Sequence, residues 1–521
     1  VTESQPFRRP RTLPPALLLP LVLLGGLVVR LALAMVLPPG YDEAYYLFYG
    51  RHPALSYFDH PAAVGLWAWV GTRLGGSILA LRLPSLLSYT LALALLIGAT
   101  ERWFGRRAAL LSAVLGSVAP VLFLCGGLLL LPDSPLVLAL AALLWWLSRH
   151  PRVVPVSPRE AIVLGVLLGL VTLGKYQGLL LLLSLLAWCL ANGERRRHFR
   201  SFWPGLALLV WLLVSAPLWL WNLNNGWVTF LFQGGRIGAG GGYDLAAPPL
   251  FLLSQLVLLF PTVGVVLLVA LRPRSRRDGA AVYRQLLRWL VVPQLVVFLL
   301  LAGRMQVLSS WLVPAWWMLL PLAGDWLAGP HDRRWRGWIV AGAWGTALIL
   351  PALLLTLALQ VRWGVLDAWL PPGLDPSTQL MPADSLRRDL RRNPVVWKAL
   401  QEASLIAGNR YDLPGFLALA LGSQLNADYT TFNNDSRGFA WWQPPTGYRG
   451  ASGVLFGIVD PGNPLVREAW LPQLGKVEPL GTVEIHRAGR PALQLEFSRF
   501  GPLPSPWPRR YGPNSAPERL P

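Results

Sequence analysis

In AIVLGVLLGLVTLGKYQGLLLLLSLLAWCLAN (161–192) a single charged side chain, Lys175, interrupts an otherwise apolar run. A helix needs about 20 residues to cross the hydrocarbon core of a bilayer. The run is long for one crossing and short for two. Read as a hairpin, it makes two spans, 161–174 and 176–192, that turn at Lys175. Read as one long helix, it makes a single span. The flanking charges decide. With a hairpin, the clusters Arg8/Arg9/Arg11, Arg102/Arg106/Arg107, Arg149/Arg152/Arg159, Arg195/Arg196/Arg197/Arg200, Arg272/Arg274/Arg276/Arg277 and Arg333/Arg334/Arg336 all fall on one face. The opposite loops receive few: Arg51, Arg73, Lys175, Arg236 and Arg304. With a single helix, every cluster after residue 192 would change sides. Arg-rich loops stay on the cytoplasmic side, so the hairpin is the predicted arrangement.

The same pattern extends in both directions. The chain is 54% hydrophobic and only 14% charged, too apolar for an ordinary soluble protein of this length. Further spans are predicted at 13–37, 78–98, 108–131, 133–148, 203–222, 250–271, 287–303, 307–327 and 337–360. The first is longer than the apolar core of a signal peptide, which predicts an uncleaved span. The expected fold class is therefore an all-α polytopic membrane protein with about eleven transmembrane helices, N-terminus cytoplasmic, over residues 1–360. Residues 361–500 are more polar, with strand-like runs at 453–459 and 482–486, and predict a small extracytoplasmic α/β domain. Residues 501–521, rich in Pro and Arg, predict a disordered tail. The net charge of +20 lies in short Arg clusters between apolar runs, so it is topological and predicts no nucleic-acid partner. Cys125 and Cys189 sit in apolar segments and read as packing residues.

With this topology the polar motifs gather on the extracytoplasmic face. YDEAYY (41–46) follows the first span and supplies Tyr41, Asp42 and Glu43. Asp59 and His60 precede Pro61. Asp133 lies between two prolines in LPDSPL (131–136), Lys175 and Tyr176 form the outward turn, and Gln233 and Arg236 share one face of a helix-compatible segment. Each has a plain alternative: Asp42, Glu43, Asp59 or Asp133 as a helix cap, Lys175 as a snorkelling cation. The functional alternative is chemistry at the membrane surface. A carboxylate there serves as a base, and Lys or Arg meets phosphate oxygens. Arg82, which opens the second span, needs a partner or a wet cavity. Glu43 and His60 are the candidate ligands of a divalent metal.

Taken in order, YDEAYY, YFDHPAAV (57–64), RLPSLL (82–87), LPDSPL, LGKYQG (173–178) and NNGWVTFLFQGGR (224–236) resemble bacterial members of glycosyltransferase family 39. These are protein O-mannosyltransferase-like and aminoarabinose-transferase-like enzymes of the GT-C class. The resemblance covers about 10–240, weakens through 250–360, and is general beyond, where NRYDLPGFLALAL (409–421) matches a family helix. It implies a polyprenyl-phosphate-sugar donor, an inverting displacement, a lipid, glycan or protein acceptor, and a place in the bacterial inner membrane. Asp42 falls on the catalytic acidic position, with Glu43 completing the pair and Asp133 on the second acidic position. Lys175, Arg236, His60 and Arg82 are then expected at the donor phosphate, and Asp59, Gln233, Tyr41 and Tyr176 at the substrates. WWQP (441–444) resembles the oligosaccharyltransferase signature only superficially, since the needed Asp is missing. The rival reading is a transporter or flippase of a lipid-linked sugar. That reading expects ionisable groups near the bilayer midplane and two related halves, and neither is visible.

Overall fold

The structure is a computed structural model. It describes residues 15–150, 153–238, 242–273, 279–329, 334–370, 374–459 and 470–508. Helix occupies every segment predicted to span. These helices are α1 (Pro15–Val36), then two short ones, α2 (Tyr41–Arg51) and α3 (Ala62–Arg73), then α4 (Ile78–Phe104). There follow α5 (Arg106–Val118), α6 (Pro120–Gly127), α7 (Asp133–Leu147), α8 (Pro158–Gly174), α9 (Gln177–Leu190), α10 (Gly193–His198), α11 (Trp203–Asn224) and α12 (Val228–Gly238). The last are α13 (Ala247–Leu258), α14 (Pro261–Ala270), α15 (Ala281–Ala302), α16 (Val313–Met318), α17 (Leu320–Ala328) and α18 (Arg334–Trp363).

Among the described residues five helices are long and apolar enough to cross a membrane, or seven if each bent pair is one span. The bent pairs are α5 with α6, at 77°, and α13 with α14, at 114°. The second member of each begins at a proline, Pro120 or Pro261, which has no N–H to continue the preceding helix. Between α8 and α9 the chain turns sharply at Lys175. A Cβ on Gly178 would stand 2.6 Å from the carbonyl oxygen of Val171. A straight helix would separate these residues by about 10 Å along its axis.

Large apolar side chains face outward on α1 (Leu21, Leu24, Val28), α11 (Leu208, Leu209, Leu213) and α18 (Leu348, Ile349). Water does not tolerate such continuous belts, whereas lipid does. The chain is a multi-pass membrane protein.

Beyond α18 lie α19 (Ala383–Arg392), α20 (Pro394–Glu402), α21 (Leu413–Leu421), α22 (Phe439–Trp442) and five strands. The strands are β1 (Leu405–Gly408), β2 (Asp428–Thr431), β3 (Gly453–Ile458), β4 (Val477–Arg487) and β5 (Arg490–Phe500), in the sheet order β2-β1-β3-β5-β4. β1 pairs parallel with β2 and β3, and β5 pairs antiparallel with β3 and β4. Both predicted strand runs fall in this sheet.

Two contacts fix the sheet-bearing part on the helices. Arg487 of β4 pairs with Asp367 (2.6 Å) and Asp375 (2.9 Å), and Gln360 near the end of α18 donates to both carboxylates. On the other side, α21 lies on α2 so closely that a Cβ on Gly415 would sit 1.9 Å from the Ala44 carbonyl oxygen. Only glycine permits that approach. The expectation of a disordered tail needs correction at its start. Leu503 and Trp507 are buried, and Trp507 packs on Phe432 with ring centroids 4.5 Å apart. Apolar surface exposed by the sheet edge near Phe432 and Phe500 recruits them. Residues 509–521 lie outside the described residues.

Candidate active site

The first acidic motif divides its labour. Glu43 points inward. Its Oε1 accepts from Arg82 Nε (2.8 Å) and Leu130 N (3.0 Å), and its Oε2 from Arg82 Nη2 (2.6 Å) and Gly40 N (2.9 Å). Arg82 also donates to the carbonyls of Ala34, Leu37 and Pro38 at the end of α1. Every N–H of this guanidinium is engaged, since Arg has five. The pair is fully buried and clamps α1, α2 and α4 together. That geometry leaves Arg82 no donor for a phosphate and Glu43 no lone pair for a metal, contrary to both expectations. The physical reason is burial: each charge needs the other and every neighbouring dipole.

Asp42 faces the opposite way. Its Oδ1 accepts from the Tyr411 hydroxyl at 3.3 Å. Asp59 is buried and accepts a short hydrogen bond from Tyr49. Arg437 Nη1 stands 3.7 Å from Asp59 Oδ2, and its guanidinium lies 3.6 Å above the Tyr411 ring. Burial raises Asp42 above the usual carboxylate range, and Asp59 adds to it. Arg437, His60 and Tyr411 pull it part of the way back. Asp59 is raised for the same reason, against Arg437 and Tyr49. Burial opposes the charge of Arg437, but Tyr411, Asp435, Asp59 and Asp42 together push its pKa up. Arg437 and Tyr411 come from the C-terminal part and were not anticipated. Asp435-Ser436-Arg437-Gly438 reads only as a turn, and nothing local says that the turn returns to the membrane mouth.

His60 packs edge-on against Tyr46, with centroids 5.6 Å apart. Burial first, then the positive charges of Lys175 and Arg437, push its imidazole down to about 3, with Asp42 opposing. That shift favours the neutral imidazole, a hydrogen-bonding group rather than a cation. An imidazole with a folded pKa below its unfolded value of about 6.5 loses stabilisation as pH falls through 6.5. Asp42 and Asp59, raised by burial, act in the other direction. The expected outcome is thus a difference: between pH 7 and 5, His60→Asn should gain apparent melting temperature relative to the unmodified protein. A constant offset in thermal scans would contradict it.

Lys175 Nζ donates to both oxygens of Asp133, at 2.9 and 3.0 Å, in a buried pair. Cys125 lies within the fields of Asp133, Lys175 and Asp42, and His60 within those of Lys175, Asp42 and Arg437. These groups therefore converge on one end of the helix bundle. Tyr176 lies near Ser56, Asn222 and Thr229, yet its hydroxyl, Asn222 Oδ1 and Thr229 Oγ1 are buried without a well-formed hydrogen bond. Such groups call for a partner. Gln233 is half-buried on α12, whose Phe232 packs on Phe58 at 4.6 Å. The side chain of Arg236 lies outside the described residues. Tyr41 points instead to the C-terminal part: its hydroxyl donates to Gln379 at 3.3 Å and its ring packs edge-on against Phe416.

Phe58 and Gly438, the chain neighbours of Asp59 and Arg437, line a cavity of about 340 Å³ together with His52, Tyr57, Trp221, Trp441 and Trp442. Trp441 is held by its Nε1 donating to Asn225 at 2.9 Å. A divalent metal does not fit the site. Glu43 is committed to Arg82, and among the described residues no three His, Cys, Asp or Glu side chains gather as a metal would require.

Residues 59–221 match the profile of the dolichyl-phosphate-mannose-protein mannosyltransferase family. No curated protein matches the sequence. The crystal structure of ArnT from Cupriavidus metallidurans bound to undecaprenyl phosphate has a TM-score of 0.60 at 17% identity, covering 92% of this chain and 97% of that one. The apo state of the same protein gives 0.57 at 17% identity over the same shares. The profile match begins just before α3 and runs into α11, and it includes Asp59, His60, Arg82, Asp133 and Lys175. Over residues 59–221 the chain is thus similar to the dolichyl-phosphate-mannose-protein mannosyltransferase family, and over 92% of its length its fold is similar to that of ArnT.

Proposed function

We propose that the enzyme moves a sugar from a polyprenyl-phosphate donor to an acceptor hydroxyl at the extracytoplasmic mouth of the bundle, with inversion. The observation that carries this reading is the convergence of Asp42 and Asp59 with Lys175 and Arg437 at one end of a lipid-facing helix bundle. Undecaprenyl phosphate bound to ArnT supports a donor of that class. In this reading all eleven predicted segments cross or enter the bilayer, the N-terminus is cytoplasmic, and the sheet-bearing part is exported from a bacterial inner membrane.

The acceptor oxygen attacks the anomeric carbon while Asp42 takes its proton. The bond from that carbon to the phosphate oxygen breaks, and polyprenyl phosphate leaves with the electron pair. Lys175, oriented by Asp133, meets the developing phosphate charge, where a preorganised cation in a site shielded from water acts most strongly. Tyr176, Asn222 and Thr229 offer hydrogen bonds to sugar hydroxyls. The aromatic cavity receives the acceptor. A transporter would need its charges at the midplane rather than at one end.

The test is reconstitution in lipid vesicles with a panel of polyprenyl-phosphate sugars and candidate acceptors, read by mass analysis of product. Sugar joined to an acceptor supports transfer, whereas movement of the intact donor across the bilayer with no product supports the transporter. The double variant Lys175→Gln/Asp133→Asn avoids leaving a lone buried carboxylate. It should weaken donor use about ten- to a hundredfold, as loss of a charged hydrogen bond predicts, seen as a raised KM for the donor.

A further inference from the structure

We propose that Arg437 is a positioning residue that holds Asp42 and Asp59 ionised and in place, the part a divalent metal would otherwise play, so that the site is complete only with the C-terminal segment docked on it. This deepens the reading above and rests on it for the identity of the reaction.

Four observations carry it. Arg437 has a φ of 43°, a left-handed conformation that disfavours a residue with a Cβ and marks functional positions when the surroundings enforce it. The enforcement is visible: the next residue, Gly438, donates its N–H to the Tyr45 hydroxyl of α2 at 2.8 Å. The guanidinium stands 3.7 Å from Asp59 and stacks 3.6 Å over Tyr411, the ring whose hydroxyl donates to Asp42, so that Asp42 lies within its field through that ring. Finally, its hydrogen-bonding is unlike that of Arg82. Its Nε donates to Asp435 at 3.3 Å, while among the described residues its Nη groups close no hydrogen bond of ordinary length. A buried carboxylate, Asp59, with a second, Asp42, in its field calls for a nearby cation if both are to ionise, and the donor set does not suit a metal. A guanidinium delivered from the C-terminal part meets that need.

The experiment compares the full-length protein with Arg437→Gln and Arg437→Lys in the transfer assay, across pH and with or without chelator. Asp42 is faced by Arg437, His60, Asp59 and Tyr411 and lies in the fields of Tyr46 and Cys125; all but Arg437 are unchanged in these variants. Expected results are unmodified activity in chelator, a ten- to hundredfold lower kcat in Arg437→Gln, and partial recovery in Arg437→Lys. The acid limb of kcat should move to higher pH by about one to two units, because removing the neighbouring cation raises the carboxyl pKa. Loss of wild-type activity to chelator, or an unmoved acid limb, overturns the proposal. A second arm does not depend on turnover: a double-mutant cycle of Arg437→Gln and Asp59→Asn read by thermal unfolding. Non-additive shifts are expected, and additive ones also overturn it. If the unmodified enzyme uses no polyprenyl-phosphate sugar, the donor reading fails while this cycle still decides the role of Arg437.

Discussion

Asp42→Asn is expected to lower sugar transfer by about 10²–10⁴-fold, the usual worth of a positioned general base, and to leave folding intact. Asparagine keeps the shape of the side chain and can still accept the Tyr411 hydrogen bond, so what is lost is the proton acceptor. The clearest control is Asp59, which lies in the same field but is already hydrogen-bonded to Tyr49. If Asp59→Asn abolishes transfer and Asp42→Asn does not, the base is Asp59. The pH profile adds a second check. Burial raises Asp42, and a base works only when deprotonated. The rate of the unmodified enzyme should therefore fall on acidification at a pH above the ordinary carboxylate value of about 3.9, and measured kcat against pH reports where.

Breaking the buried Glu43–Arg82 pair is expected to cost about 3–5 kcal/mol of stability, because removing one partner strands the other charge. Glu43→Gln should thus lower the melting temperature and the yield of folded protein in detergent. The double change Glu43→Leu/Arg82→Met, which removes both charges, should be milder than either single change. This series also separates structure from function. If Arg82 held the donor phosphate, Arg82→Met would fold normally and lose donor affinity. The geometry, with all five donors engaged within the protein, leads us to expect the opposite: a folding defect, with donor KM unchanged in whatever protein folds.

Much of this arrangement was legible in advance. Apolar runs of spanning length, punctuated by Arg clusters, are a one-dimensional signal, and helix lies over each predicted segment. Asp42, Asp59, His60, Asp133 and Lys175, which the structure brings near one another, drew attention for a related reason. A charged group beside an apolar run is costly and stands out. Their gathering is what the predicted loop parity implies, and the predicted hairpin at Lys175 is what that parity rests on. Harder to read was which acid does what. Asp42 and Glu43 are adjacent and chemically alike, but on a helix adjacent residues point about 100° apart. One meets Tyr411 and the other meets Arg82. The Asp133–Lys175 pair was hidden too, since each residue lies at the end of a different helix.

What the amino-acid order determined by itself is the solvent of each segment. Hydrophobicity and charge bias act residue by residue, so they assign helices to lipid and acids to one mouth without any knowledge of packing. What only the tertiary structure decided is the pairing of charges: Glu43 with Arg82, Asp133 with Lys175, and Arg437 with Asp59 from almost four hundred positions away. Coulomb energy depends on distance and on local dielectric, and both are set by which helices pack together and not by separation along the chain.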